Sequence, residues 1–458
     1  MRIVICGAGR VGKSIAAQLA AEHHDITIID NDAATLGKIG SNLDVKTVLG
    51  FACHPPILQE AGADDADMII AVTTSDEVNM IACQIGKTVF KVPTKIARIR
   101  HQNYLLPVYQ DMYRADDMPV DVIISPEIEV AKNILNRFHV PGAIDTIPIE
   151  NSNTKIIGVR MMSDCPFLGI TVEELQKRFA DLNIEIMGIS RGQEIILPKP
   201  KDILIDSDEV YFVTDNKSTI PALTLLGHEE KEARKIVIIG GGNIGYYLAS
   251  ELEAESKSNR IKVIELNKER AEQIAEQLEK VIVINGSALD EKILEEASVA
   301  TAEAVISVSN DDEVNILSAL LAKTLGAKTC FTLLNNNSFV PLMHNLGIDI
   351  TVNPRETTVS SILQHVRRGK IRSAHTLKDN KAEIIEAEVT ESIGLAGKHL
   401  DDLTFPEGVV IGALIRDGQF QKVSPSTLLE RRDRLIMMSL ASEVRNVENL
   451  FSLQTRYF

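Results

Sequence analysis

The sequence predicts an α/β protein made of two Rossmann-like, doubly wound parallel sheets, each followed by a small β-rich α+β module. Three observations carry this prediction: a glycine-rich turn directly after an apolar strand, an alternation of apolar strands with helical patterns, and a repeat of the whole arrangement. The repeat has an offset of about 230 residues, which is too long for a solenoid and indicates a duplicated two-domain unit.

Apolar strands alternate with helical patterns through the first 136 residues. The predicted strands are RIVIC, DITIID, VKTVLG, MIIAVT, PTKIARI and DVIIS. Their high Val and Ile content is typical of strands that helices cover on both faces. We therefore expect a complete parallel sheet, after which the helical pattern EIEVAKNILNRF leads to the small module.

The second half of the chain repeats the first at matching positions. RIVICGAGRVG at Arg2 returns as KIVIIGGGNIG at Lys235, and the tetrapeptide Asp-Glu-Val-Asn begins at both Asp76 and Asp312. Each small module is predicted to contain a strand, a short helix, a hairpin and a final strand. A charged linker is expected between Lys217 and Lys235. The predicted domains cover residues 1–136, 137–222, 223–370 (with the linker) and 371–458.

The first glycine-rich turn predicts a dinucleotide site. Gly7 permits a tight turn, Gly9 lets backbone amides approach a pyrophosphate, and Gly12 lets the helix pack on the sheet. Asp30 ends the next strand about 23 residues later, where a carboxylate can bind both ribose hydroxyls. Because that acid would repel a 2′-phosphate, we expect NAD(H) or an adenine nucleotide rather than NADP(H).

Residues at two further strand ends extend the predicted site. Thr73-Thr74 follows the fourth strand, at the carboxyl edge where the ring of a nucleotide would sit. Arg98 ends the fifth strand and can clamp phosphates there, although a surface position beside Arg100 is an equal alternative. We interpret Thr74-x-x-Glu77 as a capping box at the start of a helix rather than as an acid–base pair.

The second repeat carries the same pattern with one important change. Gly240, Gly242, Gly245 and Glu265 occupy the matching positions, and Ser309-Asn310 corresponds to Thr73-Thr74. Asn310-x-x-Glu313 is the matching predicted capping box. Leu333 replaces Arg98, so we expect unequal sites in which phosphate-rich ligands favour the first. A second site that binds and a degenerate one that binds nothing both remain open.

Composition excludes several classes of function. The net charge of −16 and the absence of Trp argue against nucleic-acid binding, and the charge also disfavours adsorption to an anionic membrane. No apolar run approaches the roughly 18 residues of a spanning helix. The five scattered cysteines indicate reduced thiols in a cytoplasm and neither a disulfide framework nor a metal site.

No arrangement of catalytic residues is apparent in the sequence. His54, His101, His139 and Cys53 are the conceivable candidates in the first half, and none has a partner at a spacing that suggests a base and its orienting acid. A dehydrogenase would also need a substrate domain, whereas the Rossmann-like unit is followed only by a small module and then by its own repeat. We therefore expect no catalytic residues and no enzyme.

The tandem units, each with G-x-G-x-x-G, an acid after the second strand and a crossover after S-P-E or N-P-R, resemble the RCK (KTN) regulators of potassium conductance. The fused pair is similar to cytosolic proteins of Trk-type potassium uptake systems. This resemblance implies a nucleotide-controlled gating ring, with NAD(H) and also ATP or ADP as ligands, bound to a Trk-type transmembrane transporter subunit. It implies a homotetramer, peripherally attached to the cytoplasmic side of the inner membrane without inserting into it.

The resemblance also assigns residues. It places nucleotide contacts at Gly7, Ala8, Gly9, Arg10, Val11, Asp30, Thr73, Thr74 and Arg98, and, in the second repeat, at Gly240, Gly241, Gly242, Asn243, Ile244 and Glu265. The crossover helices near Glu127 and Arg355 become candidate subunit contacts. This chain departs from the family at two positions. Leu333 stands where the family has a phosphate-binding arginine. Phe51 stands where the family usually has a small polar residue, as the second repeat does with Ser287.

Two other functions remain as alternatives. One is an NAD-dependent oxidoreductase. The other is an RCK regulator of a different transporter, such as an antiporter.

Overall fold

A computed structural model describes residues 1–113, 117–192, 194–366, 371–377, 381–391 and 394–451. The chain divides into two compact units, and each unit takes a part from both repeats. The first unit, Met1–Lys132 with Arg234–Leu363, contains two parallel sheets. The second unit, Asn133–Ala233 with Gln364–Phe458, contains two antiparallel sheets. The predicted fold class is therefore confirmed.

The first parallel sheet has six strands in the order β3-β2-β1-β4-β5-β6. Its elements are β1 (Arg2–Cys6), α1 (Arg10–Ala21), β2 (Asp25–Asp30), α2 (Ala33–Gly40), β3 (Lys46–Leu49), α3 (Pro55–Glu60), β4 (Met68–Ala71), α4 (Asp76–Thr88), β5 (Thr94–Arg98), β6 (Val122–Ile124) and α5 (Pro126–Phe138). The strand order reverses between β1 and β4, and ligands of open α/β sheets bind at such a point. Apart from Arg2, the residues of the central strands β1 and β4 are buried, because helices cover both faces of the sheet.

The first antiparallel sheet follows in the order β10-β9-β11-β8-β7. Its elements are β7 (Ala143–Pro148), β8 (Thr154–Arg160), α6 (Val172–Arg178), β9 (Ile184–Arg191), β10 (Glu194–Ile196), β11 (Glu209–Asp215) and α7 (Asn216–Leu225). Strand β7 was absent from the sequence prediction. The predicted linker was also wrong in its first half, because the Asp215 side chain accepts a hydrogen bond from the Ser218 amide and starts α7 there.

The second parallel sheet repeats the first, with the order β14-β13-β12-β15-β16-β17. Its elements are β12 (Lys235–Ile239), α8 (Asn243–Glu255), β13 (Arg260–Glu265), α9 (Lys268–Gln277), β14 (Ile282–Asn285), α10 (Glu291–Glu296), β15 (Ala304–Ser307), α11 (Asp312–Leu325), β16 (Thr329–Leu333), α12 (Val340–Asn345), β17 (Ile350–Val352) and α13 (Pro354–Leu363). The two crossover helices meet within this unit, since Ser361 Oγ on α13 donates to Glu129 Oε2 on α5 at 2.9 Å. Helix α13 also contacts α1 of the first repeat.

The second antiparallel sheet has the order β18-β19-β22-β20-β21. Its elements are β18 (Ile371–Leu377), β19 (Ala382–Glu388), β20 (Val409–Arg416), β21 (Gln419–Gln421), β22 (Arg434–Leu440) and α14 (Val444–Leu450). Where a short helix was predicted between β19 and β20, the described residues contain a 3₁₀ turn, Leu400–Asp402. The two antiparallel sheets share an apolar core to which Met187 and Met438 both contribute.

Candidate nucleotide sites

The three glycines of the first turn have different structural roles. Gly7 has φ of +109°, and a Cβ there would lie 3.0 Å from the backbone of Thr73. A Cβ at Gly12 would lie 1.9 Å from the carbonyl oxygen of Gly7. Gly9, by contrast, has no atom within 4 Å of the position of a Cβ. The fold itself requires Gly7 and Gly12, whereas the open side of Gly9 leaves its backbone accessible to a ligand.

The acid at the end of β2 holds the glycine turn in place. Asp30 Oδ2 accepts a hydrogen bond from the Ala8 amide at 2.6 Å, and its Oδ1 accepts one from the Asp32 amide at 2.9 Å. Each carboxylate oxygen keeps a further lone pair for a ligand hydroxyl. Asp30 can therefore accept hydrogen bonds from the loop amides and from ribose hydroxyls at the same time.

The identical Asp-Glu-Val-Asn segments tie neighbouring strand ends together. Asn79 is fully buried; its Oδ1 accepts from the Thr73 amide at 2.9 Å and its Nδ2 donates to the Arg98 carbonyl at 2.9 Å. In the second repeat, Asn315 makes the same two contacts, with the Ser309 amide and the Leu333 carbonyl. These matching contacts put Arg98 and Leu333 at equivalent positions.

The helix caps differ from the predicted ones. Ser75, not Thr74, caps α4 through a hydrogen bond that its hydroxyl accepts from the Val78 amide at 3.2 Å. Asp311, not Asn310, caps α11. The N-caps lie one residue later than predicted, and neither predicted capping box forms, because the N3 residues of these helices are Val78 and Val314.

Arg98 ends β5 with its side chain partly buried at the carboxyl edge of the sheet. Its Nε is buried and has no hydrogen-bond partner among the described residues. Burial lowers the pKa of its guanidinium, and the nearby charge of Arg100 adds to this effect. An unpaired cation in such a place favours an anionic ligand, because burial without a partner is costly.

A cavity of about 560 Å³ opens beside this arginine. The predicted residues that line it are Gly7, Gly9, Arg10, Val11, Asp30, Thr73, Thr74 and Arg98. Ala8 and Gly12 do not line it; Ala8 offers its amide to Asp30, and Gly12 lies beneath the helix start. Phe51, half exposed, forms part of the wall, as do Ile29, Asn31, Gly50, Ala52, Val72, Ser75, Val78 and Pro126.

The second repeat contributes to the same cavity, which sequence reasoning missed. Asn335 comes from the loop after β16, and Pro354, Arg355 and Thr358 come from the first five residues of α13. No local motif signals these contacts, since the residues lie in the other half of the chain. They follow from the packing of α13 on α1.

The second glycine turn has the same backbone conformation as the first but different neighbouring side chains. Gly240 has φ of +98°, and Glu265 Oε2 accepts from the Gly241 amide at 2.6 Å, as Asp30 does in the first repeat. Arg270 Nε donates to the Gly241 carbonyl at 2.8 Å, and its guanidinium lies 5.4 Å from the Tyr246 ring centroid. An arginine of the chain itself therefore lies against this turn.

The remaining predicted residues of the second repeat lie around that turn. Gly242 has no atom within 4 Å of the position of a Cβ, and Asn243 and Ile244 begin α8. Ser309 donates its amide to Asn315, and Asn310 is exposed beside it. The structure thus brings the predicted residues of each repeat to the carboxyl edge of its own sheet.

The described residues offer no cluster of His, Cys, Asp and Glu that could hold a metal ion.

Burial raises the pKa of the Cys83 and Cys330 thiols to about 12, so both remain protonated at neutral pH. Across the described part of the chain, every helix is too short or too polar to cross a bilayer.

Two known family models match most of the chain. The model of the TrkA-N domain matches residues 3–126 and 236–354, which contain the two parallel sheets. The model of the TrkA-C domain matches residues 156–223 and 384–452, within the two small modules.

Several relatives align with the chain over nearly their whole length. A Trk system potassium uptake protein TrkA of Azorhizobium caulinodans is 44% identical over 458 residues, covering 100% of both chains. The protein of the same name from Halomonas elongata is 37% identical and covers 100% of both chains. The one from Vibrio alginolyticus is 36% identical and covers 98% of both chains.

Solved structures are similar at the level of the fold. The GsuK channel bound to NAD aligns with a TM-score of 0.60 at 18% identity, covering 98% of this chain and 78% of the channel chain. The GsuK RCK domain aligns with a TM-score of 0.59 at 18% identity, covering 98% and 94%.

Proposed function

Because the chain belongs to the family of Trk system potassium uptake proteins TrkA, we propose that it is a nucleotide-sensing regulatory subunit of a Trk-type potassium transporter. One observation carries this proposal: the cavity at the first glycine turn combines an accessible backbone at Gly9 with the carboxylate of Asp30 and the unpaired guanidinium of Arg98. These are the groups that bind a pyrophosphate and a ribose.

The ligands proposed for the first site are NAD(H) and the adenine nucleotides ATP and ADP. The amides at the start of α1 would bind phosphate, Asp30 the ribose hydroxyls, and Arg98 a further phosphate oxygen. Thr73 and Thr74 lie at the edge where the ring would rest. NADP(H) is disfavoured because its 2′-phosphate would meet the carboxylate of Asp30.

The two sites are proposed to differ in what they bind. At the second, Leu333 provides no cation, and Arg270 is already bonded to the carbonyl of Gly241. A ligand of that site would have to accommodate or displace Arg270. We expect the first site to bind phosphate-rich nucleotides more tightly.

Regulation would work through a shift between two conformations of the protein. A nucleotide can bias gating only if it binds the two conformations unequally, and a difference of about 1–3 kcal/mol is enough for substantial control. We propose that the chain assembles as a homotetrameric ring on the cytoplasmic face of the inner membrane, held there by the transmembrane transporter subunit and not by insertion.

Calorimetric titration with NADH and ATP tests the site. Wild type should bind both, and Asp30→Ala and Arg98→Ala should weaken binding at least tenfold, since each removes a charged hydrogen-bonding group. Unchanged binding in both variants would exclude this cavity as the site.

The partner requires a separate experiment. Capture from detergent-solubilised membranes should recover a transmembrane subunit of the Trk type. Recovery of an antiporter instead would favour the regulator of a different transporter. The oxidoreductase alternative has no support among relatives named as potassium uptake proteins.

A further inference from the structure

We infer that Arg355, supplied by the second repeat, is a ligand-binding residue of the first site and contacts the outer phosphates of a nucleoside di- or triphosphate. This inference rests on the proposed function, because it assumes that the first site binds nucleotides. It adds a contact across the duplication, so that one ligand touches both repeats.

The charge of the cavity supports a polyphosphate ligand. Three arginines line it, Arg10, Arg98 and Arg355, against one acid, Asp30. This excess of positive charge occurs in a protein whose net charge is −16. Asp30 keeps its negative charge while it accepts hydrogen bonds from two backbone amides, so the charged side chains of the lining still carry an excess of two positive charges (three minus one). A concentration of cations in a cleft raises the local affinity for anions.

None of the three arginines has an acidic partner within ion-pair distance among the described residues. The ion pairs of that part of the chain use other arginines, for example Arg2 with Asp65 and Arg100 with Glu127. The Nε of Arg98 is buried without any hydrogen bond. Unpaired guanidinium groups that converge on one cavity are suited to bidentate contacts with phosphate oxygens.

The backbone that carries Arg355 is held firmly. Asn353 Oδ1 accepts hydrogen bonds from the amides of Arg355 at 2.9 Å and Glu356 at 3.1 Å, which caps α13. Helix α13 contacts α1, whose first residue is Arg10. The half-buried Arg355 side chain is therefore presented to the cavity from a fixed helix end.

The first repeat has an acid at the equivalent position. Ser125-Pro126-Glu127 corresponds to Asn353-Pro354-Arg355, and Glu127 Oε1 accepts from Arg100 Nε at 3.1 Å. The duplicated crossover helices have therefore diverged in charge at this position. The arginine occurs on the helix that lines the cavity of the first repeat.

Ligand length explains which nucleotides Arg355 should distinguish. The amides at the glycine turn bind the phosphates nearest the nucleoside. Beyond its pyrophosphate, NADH has an uncharged ribose and dihydronicotinamide, and the nicotinamide ring of the oxidised form is a cation. AMP has nothing beyond its one phosphate. ADP and ATP extend additional negative charge beyond that point. Arg355 should therefore matter most for ATP, less for ADP, and little for AMP and NADH.

The test is calorimetric titration of the full-length protein with ATP, ADP, AMP and NADH. The variants are Arg355→Ala, Arg355→Glu and Arg355→Lys, and Arg260→Ala is the matched control, since Arg260 is exposed at the start of β13 in the same repeat. Arg355→Ala should weaken ATP binding tenfold or more, from the loss of a charged hydrogen bond, and change AMP and NADH binding less than threefold. Arg355→Glu should weaken ATP further, Arg355→Lys should retain part of the affinity, and Arg260→Ala should behave as wild type.

The outcomes separate this inference from the proposed function. If wild type binds ATP and Arg355→Ala binds it equally well, the role of Arg355 is wrong while the nucleotide site stands. An equal loss for all four ligands would also overturn the inference, because it would indicate general damage to the site. If wild type binds none of the nucleotides, both proposals fail. Circular dichroism and the unfolding temperature without ligand check that each variant is folded.

Discussion

Asn79 lies fully buried between two strand ends, where its amide group bonds to the backbone of Thr73 and to the carbonyl of Arg98. Asn79 itself does not line the cavity, but it sets the position of Thr73 and Arg98, which do. Asn315 does the same for Ser309 and Leu333. At the scale of single residues, the identical tetrapeptide of the two repeats serves the fold, while the residues it positions have diverged.

Asn79→Ala should lower the free energy of unfolding by about 2–4 kcal/mol, because several polar groups would lose their buried partner. Asn315→Ala should be destabilising to a similar extent and is the matched control. Nucleotide binding at the first site should weaken in Asn79→Ala alone, since Arg98 loses its anchor. Urea unfolding and ATP titration measure the two effects; equal binding losses in both variants would contradict this division.

Asp30→Ala should lower the free energy of unfolding by about 1–3 kcal/mol, because the amides of Ala8 and Asp32 lose a charged acceptor. It should also weaken NADH binding at least tenfold. Glu265→Ala removes the equivalent contacts of the second turn. Glu265→Ala should lower the stability by a similar amount but leave the affinity for NADH nearly unchanged. If Glu265→Ala weakened NADH binding as much as Asp30→Ala, the two repeats would not differ in binding as proposed.

At the scale of elements, the turn from β1 into α1 combines two kinds of glycine. Gly12 faces the carbonyl of Gly7 so closely that no side chain fits, whereas Gly9 faces open space. The same pair recurs as Gly245 and Gly242 in the second repeat. The structure of the turn and the access of a ligand to it can therefore be altered separately.

Gly9→Ala should change the free energy of unfolding by no more than about 1 kcal/mol, the usual cost at a helix N-cap, and should sharply reduce nucleotide binding. Gly12→Ala should destabilise the protein by about 3 kcal/mol or more, since the close contact is with backbone. Thermal unfolding and calorimetry compare the two, with Gly242→Ala as the control in the second repeat. Normal ATP and NADH binding by a folded Gly9→Ala protein would argue against phosphate binding at this turn.

Helix α13 is the element whose role changes most between sequence and structure. Its sequence indicates a crossover helix, and the family resemblance implies a candidate subunit contact near Arg355. In the structure it contacts α1, bonds to α5 through Ser361, and lines the cavity of the other repeat. Duplication within one chain thus lets one repeat line the cavity of the other.

At the scale of the whole molecule, each compact unit is built from both repeats. In the unit of antiparallel sheets, Arg434 bonds to Glu386 at 2.7 Å and donates to the carbonyls of Glu150 and Asn151 from the first repeat. The stability of each unit therefore depends on residues from both halves of the chain, and the two repeats cannot vary independently.

A histidine of this second unit should make its stability depend on pH. His375 Nδ1 pairs with Gln364 Nε2 at 3.0 Å, and burial lowers the pKa of His375 from 6.5 to about 4, an effect that the nearby Asp145 partly opposes. Below pH 6.5 the unfolded chain takes up a proton that the folded chain does not, so stability should fall as the pH drops from 6.5 towards 4.

Replacing this residue, as His375→Gln, should flatten the dependence on pH over that range. The urea midpoint at pH 5 and pH 7, followed by circular dichroism, measures the effect in wild type and variant. His54→Gln, at an exposed position, is the matched control. A variant whose midpoint falls as steeply as that of wild type would show that another group is responsible.

The sequence by itself determined the two parallel sheets, the glycine turn with Gly7 and Gly12, and the position of Asp30 at the end of β2. The matches to the TrkA-N and TrkA-C domain models confirm the family that the sequence resembles. The hydrogen bond from the Ala8 amide to Asp30 was seen only in the structure. The predicted features are local: strand periodicity, glycine spacing and an acid at a strand end are set by neighbours along the chain. The edge strands β7 and β18, the start of α7 and the true helix caps depend on contacts that no short motif records. Only the tertiary structure decided that Arg355 shares a cavity with Asp30 and Arg98. The physical reason is that side chains hundreds of positions apart meet only when two helices pack, and packing is a property of the whole unit.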